Sequence, residues 1–478
     1  MSDQIAPSGT SWWLEEAMAA EQREGVLPPP PSGPLPETGV DVAIVGGGFT
    51  GLWTALALRQ RAPELSVAVV EAGVCGSGAS GKNGGKVHGY WSQLPHLTAT
   101  FGPDAALAIA RAGTQAQDAL RAFATAGTYD VWWREGGNVR VATTPEQEAK
   151  LRGYVETARR LGVPDTARSL SAGEVAGLCA SPVFRSGVLF AEGATIQPAR
   201  LARALRREAM AAGIAVHENT PVVGLDRGNP SRLRTARGDI VARKVVLATN
   251  AALGREPSIS PFLSVFSSYA AISRPAAGAL ASMGWNTDVS FADMRMFVHY
   301  FRRTPDGRAL MGAGAGPVAY ANRSEAVGMT GSAEGAGRAI AGMRHLLPDL
   351  MNAVPAERVW GGAIDVASDR LPFVGSLPGG DVFYACGFSG HGVNPTFIVA
   401  QCLAALVAGQ HHPWLDLPFY RRQMPRLPPE PLRYLGAAAV RRAILACEDA
   451  EENGRAPSAF ARTVAGLPAR LGLRIGVR

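Results

Sequence analysis

The segment VDVAIVGGGFTG, residues 40–51, constrains the fold of this chain more than any other. Its first seven residues are largely apolar, the pattern of a parallel strand buried on both faces. The strand runs into Gly46-Gly47-Gly48-Phe49-Thr50-Gly51, a GxGxxG spacing at a strand-to-helix junction. Gly46 permits the tight turn, Gly48 lets the backbone approach a pyrophosphate, and Gly51 lets the helix pack close to the strand. Phe49 and Thr50 open a helix expected to about residue 60, whose free N–H groups and positive end suit phosphate. A second strand, SVAVVE at 66–71, completes a βαβ unit of about thirty residues. Glu71 closes it twenty residues past Gly51, where a carboxylate accepts hydrogen bonds from adenosine ribose hydroxyls and disfavours a 2′-phosphate.

GxGxxG does not separate the dinucleotides. The next stretch does. A nicotinamide enzyme is expected to continue with another plain βαβ repeat. Here residues 76–90 read GSGASGKNGGKVHGY, with six glycines in fifteen positions and two of the chain's four lysines, Lys82 and Lys86. Farther on, residues 386–395 read CGFSGHGVNP. Gly387, Gly390 and Gly392 permit a nest of backbone N–H groups that leads into a helix. Asn394 is expected to N-cap that helix, with Pro395 in its first turn, and such a helix start stabilises negative charge.

Bulk properties narrow the class. The chain has 478 residues, 47% hydrophobic and 18% charged, enough for two or three domains or one α/β unit with a second inserted. The formal charge of +7 is concentrated at the end, where residues 421–478 carry 11 Arg against 5 acidic residues. No basic stripe interleaved with aromatics is present, which excludes a nucleic-acid partner. The tail reads as a solvated basic helical segment, or as a weak contact for an anionic surface. Five scattered cysteines without CxxC or His/Cys ligand spacing point to reduced thiols in a cytoplasmic protein and to no metal site. Neither a signal peptide nor a run of ~20 apolar residues is visible. Residues 1–36 read as a leader, with a short helix around 12–24 and a stiff linker, PPPPSGPLP; the folded body is expected to start at Val40.

Between the two glycine-rich stretches the pattern is mixed. Helical spacing occupies 101–126, 145–161, 197–212 and 333–347, and strands are expected within 129–143, at 188–191, 214–217, 240–249 and 382–385. Paired strands are expected over 295–312 around the turn TPDG. The order implies a discontinuous nucleotide-binding domain interrupted by a second domain.

The chain resembles the FAD-dependent amine and amino-acid oxidases of the D-amino-acid oxidase superfamily, and within it the gamma-glutamylputrescine oxidoreductase-like branch. The resemblance rests on VDVAIVGGGFTGLWTALAL, VVEAGVCGSGASGKNGG, AEGATIQPARLARAL, HENTPVVGL, VVLATNA, YFRRTPDGRALMG, DRLPFVG and ACGFSGHGV, which occur in family order over most of the chain. It implies an α/β fold with an α+β second domain. A Rossmann-like FAD-binding domain would be assembled from 37–100, 181–260 and 355–415. A mixed or antiparallel-sheet substrate domain would come from 101–180 and 261–354, and the basic helical tail would span 416–478. Glu71 and Ala72 would then take the ribose. Ser80 with Gly78, Ala79, Lys82, Asn83, Gly84 and Gly85 would wrap the pyrophosphate and run beneath the flavin. The Val222 backbone would meet the adenine, with Thr249 and Asn250 bordering the adenosine site. Gly361, Asp369 and Arg370, and the clamp Gly387, Phe388, Ser389, Gly390, His391 and Gly392, would hold the flavin end.

The resemblance also implies chemistry. FAD oxidises an amine by taking hydride from the α-carbon at N5; the imine then hydrolyses, and O2 or another acceptor reoxidises the flavin. No catalytic triad is required. The partner is a small-molecule amine or amino acid. Alternation on HYFRR places Tyr300 and Arg302 on one face and His299, Phe301 and Arg303 on the other. Tyr300 and Arg302 are the expected substrate contacts, the arginine suiting a carboxylate or carbonyl; His299, Tyr269 and Trp91 are further candidates. His391 reads either as a contact to flavin or substrate or as a histidine fixed by neighbouring hydrogen bonds. Lys82 and Lys86 read as anchors for phosphate or loop, or as charges at the flavin face that favour reaction with O2. Gly362 stands where the cysteine-tethered branch carries its Cys, and His88 lies too far past Ser80 for the histidine-tethered branch, so dissociable FAD is expected. The remaining readings are an amino-acid oxidase or dehydrogenase and, from a different class, a flavoprotein accessory subunit without turnover.

Overall fold

The computed structural model describes residues 5–25, 35, 39–314 and 316–473. Its centre is an eight-stranded sheet in which Val40–Val45 lies parallel between Val67–Val70 and Gly238–Leu247. Ala215–His217 extends it in parallel on one side and Val382–Cys386 on the other. Along the first strand Val42 and Ile44 pack under the helix Phe49–Arg61, while Ala43 and Val45 belong to the cluster on the opposite face. Both faces are covered, which is why the strand reads as an unbroken apolar run. The helices Pro198–Ala211 and Pro395–Ala408 bury their apolar residues in the same cluster as Phe49–Arg61.

A second eight-stranded sheet runs in the order Ala356–Ala367, Leu263–Ser273, Ala309–Ala313, His299–Arg303, Ser290–Asp293, Asn138–Val141, Gly187–Phe190, Arg168–Leu170. Its pairs are antiparallel except Ser290–Asp293 with Asn138–Val141. Phe291 and Phe301 stack at 5.1 Å on one face, in a cluster with Val139 and Val141 and with residues of the helix Ala333–Leu346. The opposite face looks towards the first sheet.

Two boundaries differ from expectation. Gly187–Phe190 and Ala356–Ala367 hydrogen-bond into the second sheet, although the sequence reading placed 181–260 and 355–415 with the nucleotide-binding segments. Ladder pairing with 138–141 and 263–273 decides their membership. The strands Leu263–Ser273 and Ala356–Ala367 had no counterpart in the sequence reading.

The termini also differ. The helix Trp12–Arg23 is not a detached leader. Trp12 and Trp13 are buried against Trp132, Trp360 and Leu310. Ser8 N donates to the Val359 carbonyl at 2.8 Å and Ile5 packs on the second sheet's core, which moves the start of the packed body back to about Ile5. The expected Pro-rich linker lies, apart from Leu35, outside the described residues. The tail is helical over Leu432–Glu452, Ala459–Ala465 and Leu467–Arg470, but the first of these helices is not simply solvated: Val440, Ile444 and Leu445 pack with Phe297. Among the described residues no helix is long and apolar enough to cross a membrane, and no group of His, Cys, Asp and Glu could hold a metal ion.

Candidate active site and cofactor cradle

A cavity of about 540 Å3 opens where the carboxyl ends of the first sheet's parallel strands face the second sheet. This is where open α/β sheets take ligands. Gly46 turns at φ +113, and a Cβ there would meet the Ala248 carbonyl at 2.5 Å; a Cβ at Gly51 would meet the Gly46 carbonyl at 1.9 Å. The turn therefore needs both glycines, and Gly51 serves packing from outside the cavity wall. Gly46, Gly48, Phe49 and Thr50 line the cavity. Ser80 Oγ accepts from Phe49 N at 2.9 Å, tying the glycine loop to the start of the helix. Glu71 accepts from Gly47 N at 2.7 Å and Gly73 N at 2.9 Å, and lines the cavity beside Ala72.

Most other cradle residues expected from sequence meet on the same wall. Gly78, Ala79, Ser80, Lys82, Asn83 and Gly84 follow the glycine loop, and Val222, Thr249 and Asn250 line the end expected to take the adenosine. Arg370, Phe388, Ser389, Gly390, His391 and Gly392 form the far end. Four do not reach the wall. Gly85, at φ +65, packs on the Ile196 carbonyl. Gly361 leaves room for the Tyr269 ring, and Gly387 for Phe373. Asp369 forms a buried ion pair with Arg422 (2.6 Å) and so fixes the chain after residue 420 rather than a ligand.

FAD fits this cradle by its donors and acceptors. The side-chain carbonyls of Asn250 and Asn394 are buried on the cavity wall and have no protein partner among the described residues, a state normally relieved by a ligand or water. Asn394 stands at the N-cap of the helix with Pro395 in its first turn, as expected, but its side chain makes no capping hydrogen bond; its Nδ2 donates to the Gly113 carbonyl at 2.8 Å. Asp365, also on the wall, accepts from Gly387 N, while its own carbonyl accepts from Ser389 N at 2.8 Å. It thereby shapes the expected nest. Burial raises this carboxyl to about 7.

The opposite end of the cavity is built by the second sheet. Tyr300 lines it, its ring wedged where a Cβ at Gly84 or Gly312 would stand. Arg302 shares that strand face but lies beyond the cavity. Its Nε donates to the Gly84 carbonyl at 2.7 Å and its Nη2 to the Ile196 carbonyl, and it is 1% exposed. The expected carboxylate contact is thus a support beneath the glycine loop, and burial lowers its pKa to about 9. His299 is held off the site by Asp293 (2.7 Å) and Trp91 by Glu192 (3.0 Å). Tyr269 lines the cavity and donates to the Gly328 carbonyl at 2.9 Å.

Besides Arg370, the wall carries the guanidinium of Arg140, 4% exposed and with its Nε unpartnered among the described residues. Asn138 stands beside it, and the alternation N-V-R-V sends these two into the cavity and both valines into the core. That alternation was the available signal for a residue the sequence reading did not single out. Lys86 donates to the Phe291 carbonyl at 2.8 Å; burial, then the nearby Arg140 and Arg302, pull its pKa well below the ordinary lysine value. His88 and His391 meet edge to face at 5.4 Å. Burial, then Lys86, depress His88 to about 3, and burial, then His88, hold His391 well below its usual value. Lys82 also lines the cavity, its side chain beside Gly362, and burial lowers its pKa.

Comparison with known proteins agrees with this geometry. The profile of the FAD dependent oxidoreductase family matches residues 41–406. Gamma-glutamylputrescine oxidoreductase of Escherichia coli (strain K12) is 28% identical over 410 residues, spanning 83% of this chain and 91% of the relative. Sarcosine oxidase subunit beta of Arthrobacter sp is 26% identical over 403 residues, 81% of this chain and 91% of the relative. Glycine oxidase from Geobacillus kaustophilus superposes with a TM-score of 0.63 at 22% identity, covering 80% of this chain and 98% of that one. Match, fold and cradle together place the chain in the FAD dependent oxidoreductase family, with FAD as its cofactor.

Proposed function

We propose that the protein oxidises the carbon–nitrogen bond of a primary or secondary amine that also carries a carboxylate. The observation that carries this reading is the buried Arg140 guanidinium on the cavity wall, with Arg370 on the same wall. A guanidinium recognises a carboxylate through paired, charge-assisted hydrogen bonds. The only acidic side chains on the wall among the described residues are Glu71, at the adenosine end, and Asp365, which burial favours in its neutral form. Sarcosine and glycine, named for two relatives, are both amines with a carboxylate.

Bound FAD supplies the redox step, accepting hydride from the carbon next to nitrogen. The chain binds, orients and desolvates. Arg140 and Arg370 anchor the carboxylate. The Tyr300 ring and the wall of Met296, Phe297 and Val298 exclude water. His88 and His391, kept neutral by burial, can accept a hydrogen bond from the N–H of the amine but are too weakly basic to take its proton. No cysteine lines the cavity among the described residues, which supports FAD held without a covalent bond.

The test is anaerobic titration of the purified flavoprotein. Amino acids, ω-amino acids and their carboxylate-free amine counterparts are added in turn while bleaching of the flavin absorbance is followed. Bleaching by the carboxylate-bearing members is the expected result, and the spacing of the best ω-amino acid reports the distance from carboxylate to reacting carbon. Bleaching by none of these amines would overturn the amine reading. Equal bleaching by the carboxylate-free amines would remove the role given to Arg140. Readmitting O2 then distinguishes an oxidase from a dehydrogenase.

A further inference from the structure

Four consecutive carbonyls of the glycine loop each accept from a side chain of a distant segment. Gly81 accepts from Ser11 Oγ at 2.6 Å, Lys82 from Trp360 Nε1 at 2.8 Å, Asn83 from Trp13 Nε1 at 3.0 Å, and Gly84 from Arg302 Nε at 2.7 Å. Two of these donors, Ser11 and Trp13, lie outside the stretch that matches the family, 41–406. In a trans peptide the N–H points opposite its carbonyl. Anchoring the Lys82 and Asn83 carbonyls therefore fixes the direction of the Asn83 and Gly84 N–H groups, in residues that line the cavity.

The N-terminal segment is itself fixed on the body. Ser11 also caps the helix Trp12–Arg23 through Leu14 N at 3.1 Å. Trp13 is fully buried, with the Arg302 guanidinium 4.8 Å over its ring. Glu16 pairs with Arg200 at 2.6 Å. Glu21 pairs with Arg203 at 2.9 Å, Arg203 with Glu218 at 2.8 Å, and Glu218 accepts from Cys75 N at 2.6 Å, just before the glycine loop. The segment thus holds the loop twice, directly at residues 81 and 83 and through a charged relay at 75.

We propose that the segment Ser11–Arg23 is part of the FAD site. Its docking holds the Gly81 and Asn83 carbonyls, two of the four anchored in residues 81–84, so docking and FAD binding are linked equilibria and each strengthens the other. Ser11 and Trp13 act as positioning residues for the loop.

The test uses the full chain, stripped of flavin and titrated with FAD while the quenching of flavin fluorescence is read. Ser11→Ala is expected to weaken FAD binding about fivefold to tenfold, the effect of one lost hydrogen bond, and to lower the melting temperature of the flavin-free protein only modestly, because the same hydroxyl caps the helix. Ser11→Thr is expected to restore affinity, and Trp13→Phe to lower it again. Should Trp13→Phe fail to fold, the two Ser11 variants carry the comparison. Hydrogen exchange supplies a second readout, since linkage requires the amides of residues 14–23 to exchange more slowly once FAD is bound. An unchanged FAD affinity in Ser11→Ala, or exchange in this helix indifferent to FAD, overturns the proposal. A lowered melting temperature with unchanged affinity marks a purely structural helix and overturns it equally.

Discussion

Arg302 donates its Nε–H to the carbonyl of Gly84 across 2.7 Å, and the two residues are 218 positions apart in the chain. A single strand residue thereby supports the loop that lines the cofactor cavity from below. Arg302→Met should weaken FAD binding at least tenfold, the loss of a charged hydrogen bond to a buried carbonyl. KM for the amine at saturating FAD should change little. A titration of flavin-free protein beside steady-state kinetics separates the two. A rise in KM without loss of FAD affinity would return Arg302 to the substrate side.

Arg140 is expected to show the opposite division. Arg140→Met should raise KM for a carboxylate-bearing amine about tenfold to a hundredfold, the usual range for a lost charge-assisted contact. FAD affinity should stay near that of the parent protein. The variant should discriminate poorly between an amino acid and its carboxylate-free counterpart. Measuring kcat/KM for both members of such a pair checks this; an undiminished preference for the carboxylate would exclude Arg140 as its anchor.

The contrast between these two arginines shows how far sequence carried the reading. The βαβ unit and the glycine loop were legible because both depend on local rules. A strand covered on both faces reads as an apolar run, and the turn at Gly46 has no room for a side chain. Alternation also placed Tyr300 and Arg302 on one strand face correctly. Two residues along a strand span about 7 Å, however, and the cavity ends between them, which no local pattern encodes. Leu263–Ser273 and Ala356–Ala367 were missed because one face of each meets the cavity or the N-terminal tryptophans and the other the core. Their Ser, Ala and Gly residues blur the two-residue period. The helix Trp12–Arg23 looked detached because its partners lie at Gly81, Asn83 and Arg302.

The C-terminal helix carries a third prediction. Arg295, with 7% of its side chain exposed, is gripped by Glu448 (3.2 Å), Asp449 (2.9 Å) and Glu452 (2.9 Å) of Leu432–Glu452. Met296, Phe297 and Val298, which follow it, line the cavity, and Met296 N donates to Glu448. The tail thus holds the cavity wall at Met296, Phe297 and Val298, proposed above to exclude water from the substrate. Removing one partner from a buried charge cluster costs about 3–5 kcal/mol. Arg295→Met should therefore lower the urea midpoint strongly and raise KM for the amine in whatever protein remains folded. Pairing it with Glu448→Leu should recover part of the stability, because the remaining buried charge is removed as well. An unchanged urea midpoint in Arg295→Met would show that the tail does not brace the wall.

Asp365 gives the pH dependence. Its carboxyl is 1% exposed on the cavity wall, and burial raises it from an ordinary 3.8 to about 7. Between those values the folded flavin-free protein holds a proton that the unfolded chain releases. The contribution to stability is therefore fully present below about pH 4 and is lost as pH rises through 7. Asp365→Asn keeps the shape and the acceptor for Gly387 N but cannot ionise. Melting temperatures of parent and variant, taken from pH 4.5 to 8.5 without flavin, should show the variant gaining on the parent as pH rises, with most of the gain complete near 7. Groups such as His88 and His391, depressed in both proteins, cancel in the difference. A difference that stays constant over this range would mean that Asp365 is ionised in the folded protein throughout.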